Sequence, residues 1–432
     1  MNLPDALRYL DQHINLEATA GRAEGLSLDR MGQIVDALGD PHNAYPTIHI
    51  TGTNGKGSVG RMITELLAAS GLSVGTYTSP HLESINERIS RNGESISDYE
   101  LGRAIGAVAS VESIAGVTPS YFEILTAAAF VWFADEAVDV AVVEVGMLGR
   151  YDATNVIDAT VAVLTNVGHD HTDGKGAWRE AIASEKVGIV KPGSTFVCGE
   201  TSPDLRQLLD DAPAAATWWR DDHFEVTSSL IALGGRSLDL RTPSGTVEEV
   251  FVPLHGEHQA ENASVALAAV EAFFERRLDD DVVREAFAAV KVPGRFEIVG
   301  REPTVVLDAA HNVDGAAACA ATLREEFTLG GSVIVVAGFL DGREPEEMLR
   351  ALGAADAGFL VACTPDSPRA IPAPQVAAAA ERLGIVAEAV SAPVDALERA
   401  RSLATPDDLI LVTGSLYVVG PARSIMRAEE DQ

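Results

Sequence analysis

Apolar and polar positions follow two alternating rhythms along this chain. Residues 47–50 (TIHI) form a short apolar run. After it Val59, Met62, Ile63, Leu66 and Leu67 recur at three-and-four spacing, which predicts an amphipathic helix over 59–70. Residues 74–78 (VGTYT) predict a second strand, and 122–133 an apolar helix. Residues 138–145 (VDVAVVEV) and 160–167 (TVAVLTNV) are continuous apolar runs, as expected of strands covered on both faces. From about residue 297 the rhythm starts again, with strands predicted at 304–307, 333–337, 359–362 and 409–413 between Ala-rich helices. Strand–helix alternation of this kind predicts the α/β class, with mostly parallel sheets covered by helices. A Pro-Gly pair at 293–294 breaks the pattern, so the expected domains are 1–296 and 297–432.

Composition narrows the picture. With 432 residues, two or three domains are expected, and 47% hydrophobic against 22% charged residues excludes wholesale disorder. No apolar run approaches the roughly 20 residues of a membrane span. The opening MNLPDALRYLDQHINLE lacks the basic and apolar regions of a secretory signal. Cys198, Cys319 and Cys363 match no disulfide or metal-knuckle spacing, so a reduced, cytoplasmic setting is expected. The net charge of -32 repels nucleic acid and anionic membrane, and neither is an expected partner. It leaves room for a phosphate ligand, which backbone N–H groups and a single lysine can hold locally.

Residues 51–58 (TGTNGKGS), between a strand and a helix, carry that chemistry. Gly52, Gly55 and Gly57 allow the tight turn that aims N–H groups at one point. Thr53, Asn54 and Ser58 complete the loop, Lys56 adds a full charge, and the following helix adds its positive end. The arrangement predicts a nucleotide triphosphate cradle, although Gly57 separates Lys56 from Ser58 and departs from the usual Walker pattern. The first domain is therefore expected to be a P-loop-type, mostly parallel sheet domain, and the second a smaller Rossmann-like α/β domain.

Further candidates stand just beyond apolar strands: Ser79 after 74–78, Glu144 at the end of 138–145, and His171 after 160–167. Ligands gather at the carboxyl ends of strands in parallel sheets, so these side chains are expected near the phosphate loop. A hydroxyl and a carboxylate beside a triphosphate suit Mg²⁺. An imidazole is unusual for that ion, and chemistry alone makes His171 a hydrogen-bond partner. His49 and His13 read as structural histidines.

These blocks resemble a known family. TGTNGKGS, TSPHLESINERI (78–89), EVGMLGRYDATN (144–155), DHT (170–172), EKVGIVKPG (185–193), GEHQAENASVAL (256–267), PGRFE (293–297) and DAAHNVDG (308–315) occur in order. Together they are similar to the Mur ligase superfamily, in its bifunctional dihydrofolate synthase/folylpolyglutamate synthase branch. The resemblance implies an ATP-dependent amide ligase joining the amine of L-glutamate to dihydropteroate or a reduced folate, with ADP and phosphate released through an acyl phosphate. It implies ATP on residues 52–58, Asn262, Arg295 and Asp308, with nucleotide between the domains. It further implies two Mg²⁺ sites on Ser79, Glu144, His171 and a carbamoylated Lys186. That modification is required of a ligand lysine, because an ammonium cannot coordinate a cation; the bland alternative is a helix lysine paired with a carboxylate. His311 is implied near the nucleotide or the incoming amino acid. Ser120, Tyr121, Phe122, Glu123, Tyr151, Asp152 and Ala153 are implied in binding the pteroyl acceptor. Phe122 could stack on a pterin ring or serve as a core aromatic. A monomer is implied.

The chain departs from the family pattern at residues 148–152, where Leu-Gly-Arg-Tyr-Asp replaces Gly-Gly-Arg-Leu-Asp, at His169, near 174–175 and over 18–29. These changes leave the ATP and metal positions intact and bear on the acceptor. The rival expectations are a Mur-type ligase with a different carboxylate acceptor or amino acid, and a nucleotide-binding regulator without catalysis. A plain transport or motor NTPase is disfavoured by the nonstandard loop.

Overall fold

The computed structural model describes residues 1–15, 27–169, 176–328 and 330–430. The chain divides into two compact units. The first comprises Met1–Ala232, Arg236–Pro253 and Gln259–Val290, and the second Leu233–Gly235, Leu254–His258 and Lys291–Gln432.

The first unit is built on an eight-stranded sheet. Its strands are β1 (Thr47–Thr51), β2 (Val74–Tyr77), β3 (Ile89–Arg91), β4 (Glu94–Ser95), β5 (Val140–Glu144), β6 (Val161–Leu164), β7 (Thr195–Cys198) and β8 (Ala216–Trp219). They lie in the order β4-β3-β2-β5-β1-β6-β7-β8, parallel except at the β3 and β4 edge. Strands β1, β5 and β6 are buried along their whole length, which explains their lack of polar alternation.

The helix Lys56–Ala69 buries Val59, Met62, Ile63, Leu66 and Leu67, the face expected from the spacing. It also buries Thr64, whose hydroxyl is satisfied by Thr76 of β2 at 2.7 Å. The helix Tyr121–Asp135 is apolar all round and packs into another core cluster with Tyr77, Phe130 and Phe133 fully buried. Each such ring contributes about 1.5–3 kcal/mol. Gly75 is what admits Phe133, since a Cβ there would lie 2.6 Å from the ring. Beyond β8 comes a three-stranded antiparallel sheet of β9 (Glu225–Ala232), β10 (Gly235–Thr242) and β11 (Gly245–Val252). Nothing in the hydrophobic rhythm announced it, because β9 is half exposed and carries no clean alternation. The helix Glu257–Phe274 is buried over most of its length by Ala and Val side chains.

The second unit has a mixed six-stranded sheet: β12 (Glu297–Arg301), β13 (Thr304–Asp308), β14 (Val333–Ala337), β15 (Phe359–Ala362), β16 (Ala387–Ala389) and β17 (Leu409–Thr413). The order is β12-β13-β17-β14-β15-β16, and only β12 runs antiparallel to its neighbour. The four strands expected here from the sequence are β13, β14, β15 and β17. The α/β class and the two sheet domains are as expected. Among the described residues no helix is long and apolar enough to cross a membrane.

Candidate functional site

Strand β1 runs directly into the phosphate loop. Gly52 has φ +153°, and only glycine fits there, because a Cβ would lie 1.8 Å from Thr165 Oγ1. Gly55 occupies the N-cap of the helix Lys56–Ala69 in the left-handed region, with φ +84°. Among the described residues no side chain caps this helix, so its first N–H groups can meet a ligand, together with the positive end of the dipole. The segment after β6 holds the loop in shape. Thr53 N–H donates to the Asn166 carbonyl at 3.1 Å, and Asn54 N–H to Asn166 Oδ1 at 3.0 Å. Thr165 Oγ1 and Asn166 Nδ2 donate back to the Asn54 carbonyl at 2.6 and 3.1 Å. Gly168 N–H donates to Thr53 Oγ1 at 3.0 Å. Lys56 folds over the loop and donates to the carbonyls of Gly52 and Thr53 at 3.0 and 3.3 Å. Ser58 is buried behind it.

Three of the expected residues meet this loop. Glu144, at the end of β5, pairs in register with Ile50 of β1, and its Oε2 would lie 3.7 Å from a Cβ on Gly57. Ser79, two residues past the end of β2, donates its N–H to the same Glu144 oxygen at 3.4 Å. Asn262 sits over Gly55 and is held by its Nδ2 donating to Gln259 Oε1 at 3.0 Å. Ser79 and Glu144 are hard oxygen donors at the ends of neighbouring strands, a donor set that fits Mg²⁺. His171 lies outside the described residues. Lys186 ends the helix Trp178–Lys186 and is buried, with its carbonyl and that of Glu185 packed against Gly149. Among the described residues no group of three or more His, Cys, Asp or Glu gathers as a metal site.

The acceptor candidates lie on two segments, the start of the helix Tyr121–Asp135 and the turn at Tyr151, Asp152 and Ala153. Phe122 lays its ring on Gly146, where a Cβ would fall 2.4 Å from Cζ, stands 6.0 Å from Tyr77 between ring centroids, and packs against the buried core cluster. Asp152 is buried and caps the turn Ala153–Val156. It accepts from Met147 N–H at 2.8 Å, Thr154 N–H at 3.1 Å and Thr154 Oγ1 at 2.6 Å. Burial raises its pKa, and these bonds oppose the rise. Tyr151 is exposed and Ala153 buried. Ser120 and Glu123 form a capping box at the start of the helix Tyr121–Asp135, and Glu123 also pairs with Arg30 at 3.2 Å. Their side chains are therefore committed to the helix start. Tyr121 lies under the Arg88 guanidinium, 5.8 Å from its ring centroid.

The motif over 78–89 contains residues to which sequence reasoning assigned no role. The Glu87 carboxylate accepts the N–H groups of Leu82, Glu83 and Ser84 at 2.8, 3.0 and 2.9 Å and so shapes the turn after Ser79. Buried Arg88 donates from Nε to His81 Nδ1 at 2.9 Å. A fixed acidic residue amid polar turn residues was the available signal, and it needs three dimensions to read.

Within the second unit, Arg295, Asp308 and His311 surround the end of β13. Asp308 is buried and accepts Phe296 and Ala310 N–H groups, each at 2.9 Å. Burial raises its pKa, while the Arg295 charge and those two bonds pull it down. Arg295 donates to the Ala309 carbonyl at 3.0 Å, and His311 Nδ1 lies 3.2 Å from the same oxygen, to which it donates. Asn312 caps the helix Val313–Glu326 by accepting from Gly315 N–H at 2.8 Å.

A strand-borne phosphate loop and an α/β second unit with a charged strand end agree with the comparisons. Residues 50–270 match the Mur ligase middle domain, and residues 294–416 the Mur ligase, glutamate ligase domain. The chain belongs to the Mur ligase family. Its relatives put it in the dihydrofolate synthase/folylpolyglutamate synthase branch. It is 42% identical to the dihydrofolate synthase/folylpolyglutamate synthase of Mycobacterium tuberculosis, over 92% of this chain and 90% of that one. It is 32% identical to the Bacillus subtilis protein of the same name, over 93% and 95%. Among solved structures, the Mycobacterium tuberculosis folylpolyglutamate synthase complexed with ADP and AMPPCP superposes with a TM-score of 0.91 at 40% identity, covering 98% of both chains. The Escherichia coli enzyme in complex with DHPP and ADP gives 0.87 at 28% identity, covering 100% of this chain and 99% of that one. A bifunctional folylpolyglutamate synthase/dihydrofolate synthase with Mn, AMPPNP and L-glutamate bound gives 0.85 at 28%, covering 99% and 98%.

Proposed function

We propose that this chain is an ATP-dependent ligase that joins the amine of L-glutamate to the carboxylate of dihydropteroate and of reduced folates, releasing ADP and phosphate. The observation that carries this reading is the preformed phosphate loop, with Lys56 and an uncapped helix start, facing the oxygen donors Glu144 and Ser79. Relatives of the same branch, one with ADP and DHPP bound and one with Mn, AMPPNP and L-glutamate, support it.

A carboxylate does not condense with an amine at neutral pH without activation. The loop amides and Lys56 hold the triphosphate, and Lys56 swings from the Gly52 and Thr53 carbonyls to neutralise the transferred phosphoryl group. The acceptor carboxylate attacks the γ-phosphorus, the bond to ADP breaks, and an acyl phosphate forms. The glutamate amine then adds to the acyl carbon, loses a proton, and expels phosphate as the amide forms. Ser79, Glu144, His171 and Lys186 in carbamoylated form would hold Mg²⁺ in two sites, and bound Mg²⁺ supplies charge neutralisation to the phosphates. Asn262, Arg295 and Asp308 bind the nucleotide, and His311 serves the nucleotide or the incoming glutamate. Phe122, Tyr151, Asp152 and Ala153 form the acceptor side with Tyr121, while Ser120 and Glu123 fix the helix that presents Phe122. Cys198, Cys319 and Cys363 are free and buried, which suits a reducing setting.

The test is ADP release by purified protein with Mg-ATP and L-glutamate, comparing dihydropteroate, tetrahydrofolate and no acceptor. Stimulation by dihydropteroate establishes the synthase activity, and stimulation by tetrahydrofolate adds tail extension. No stimulation by either overturns the folate reading.

A further inference from the structure

The strand that launches the phosphate loop also holds the acceptor loop. His49 and Thr51 are two residues apart on β1, so their side chains share one face of the sheet. Both reach the segment 146–154. Thr51 Oγ1 donates to the Leu148 carbonyl at 2.6 Å, and His49 Nε2 lies 2.8 Å from Thr154 Oγ1.

The direction of the second bond follows from proton counting. The single hydroxyl proton of Thr154 goes to Asp152 Oδ1 at 2.6 Å, so its oxygen accepts from His49, and the imidazole carries its proton on Nε2. Asp152 Oδ2 then accepts Met147 N–H at 2.8 Å, which extends the line to the start of the loop. His49 is fully buried, and its Nδ1 has no hydrogen-bond partner among the described residues. An unmet polar atom in the core is unfavourable, so His49 is a poor packing residue whose contribution is the Nε2 donor. Burial, aided by Lys191, pushes its pKa down to about 3, which keeps the neutral donor form in place at working pH.

We propose that His49 and Thr51 are positioning residues that fix the acceptor loop relative to the phosphate loop. This rests on the reading of Tyr151, Asp152 and Ala153 as part of the acceptor side. Phosphoryl transfer needs the acceptor oxygen close to and in line with the γ-phosphorus, and a displacement of about 1 Å is enough to cost on the order of 10²-fold in rate. Because β1 continues into residues 52–58, its two side-chain anchors tie the two substrates' loops to one rigid element.

The experiment compares wild type with His49→Leu, His49→Gln, Thr51→Val and Thr154→Val in the full chain. It measures hydrogen–deuterium exchange over 146–154, acceptor KM, kcat, and nucleotide Kd. His49→Leu and Thr154→Val are expected to speed exchange over 146–154 and to lower kcat/KM for the acceptor by about 10²-fold, through both kcat and acceptor KM, with nucleotide Kd within about twofold. Thr51→Val is expected to give the same split. His49→Gln, which keeps a donor near the Nε2 position, is expected to recover most of both effects. Unchanged exchange in the variants overturns the proposal, as does a parallel loss of nucleotide and acceptor affinity or a Gln variant no better than Leu. If wild type responds to no pteroyl acceptor, the functional reading fails, and the exchange measurement still decides whether β1 anchors the loop.

Discussion

The side-chain oxygen of Asn262 lies against the Cα of Gly55, where an added methyl group would fall 2.5 Å away. The same glycine holds φ +84° at the helix start. Gly55→Ala therefore meets two penalties: about 1–2 kcal/mol for a left-handed residue with a side chain, and displacement of Asn262. The variant is expected to bind ADP at least about tenfold more weakly, read by calorimetry. Affinity within error of wild type would remove both Gly55 and Asn262 from the nucleotide site.

Lys56→Ala removes the one full positive charge of the loop. It is expected to lower kcat by about 10³-fold or more, because the charge acts on the phosphoryl group in transit. The melting temperature should hold, since among the described residues the amine bonds only to the carbonyls of Gly52 and Thr53. Near-normal ADP release would sink the assignment of the phosphate loop.

Phe122 discriminates between a ring used for packing and a ring used for binding. It is half-buried and rests on Gly146 and Tyr77. Phe122→Leu keeps most of the apolar volume and loses the π-face, worth about 0.5–1.5 kcal/mol. If the ring stacks on the pterin, acceptor KM rises about threefold to tenfold while nucleotide Kd is unchanged. A drop in melting temperature with unchanged acceptor KM assigns the ring to the core.

Much of this was legible in the letters. The buried strands β1, β5 and β6 lack polar positions because both faces are covered, and continuous apolar runs reveal such strands. The loop at 51–58 was legible because glycine spacing, a lysine and strand–helix flanks each carry local information. The partners of that loop were not. Thr165, Asn166 and Gly168 lie more than a hundred positions away and look like ordinary strand-end residues. His49 read as structural, and only its bond to Thr154, with the proton of Thr154 already given to Asp152, distinguishes it from core packing. Sheet β9–β11 escaped because half-exposed strands leave weak patterns.

Lys186 gives a chemical prediction. As a carbamate it is an oxygen donor, and its formation requires carbon dioxide. Preparing the enzyme under carbon-dioxide-free conditions is expected to lower activity, with recovery on adding bicarbonate. Intact-mass analysis under native conditions should show the increment of a carbamoyl group, lost in Lys186→Ala. Full activity without carbon dioxide and no mass increment would reduce Lys186 to an ordinary buried lysine.

His49 also predicts how stability depends on pH. Its pKa falls from 6.5 in the unfolded chain to about 3 in the folded one, through burial first and Lys191 second. The unfolded state therefore binds a proton below pH 6.5 that the folded state refuses. This contribution is fully present above pH 6.5 and is lost as pH falls towards 3. In chemical denaturation, wild type is expected to lose about 1.4 kcal/mol per pH unit more than His49→Gln across that window. Parallel pH profiles for the two proteins would show that His49 titrates normally.

The grip of Lys56 on the Gly52 and Thr53 carbonyls bears on which anions can enter. The ammonium already has internal acceptors, so a ligand must outcompete them before gaining its charge. A nucleotide brings its base, its sugar and further phosphates, and can displace the amine because those contacts form together. The two carbonyls therefore hold the amine over the loop with neutral partners, which a phosphate oxygen can replace with stronger, charge-assisted bonds.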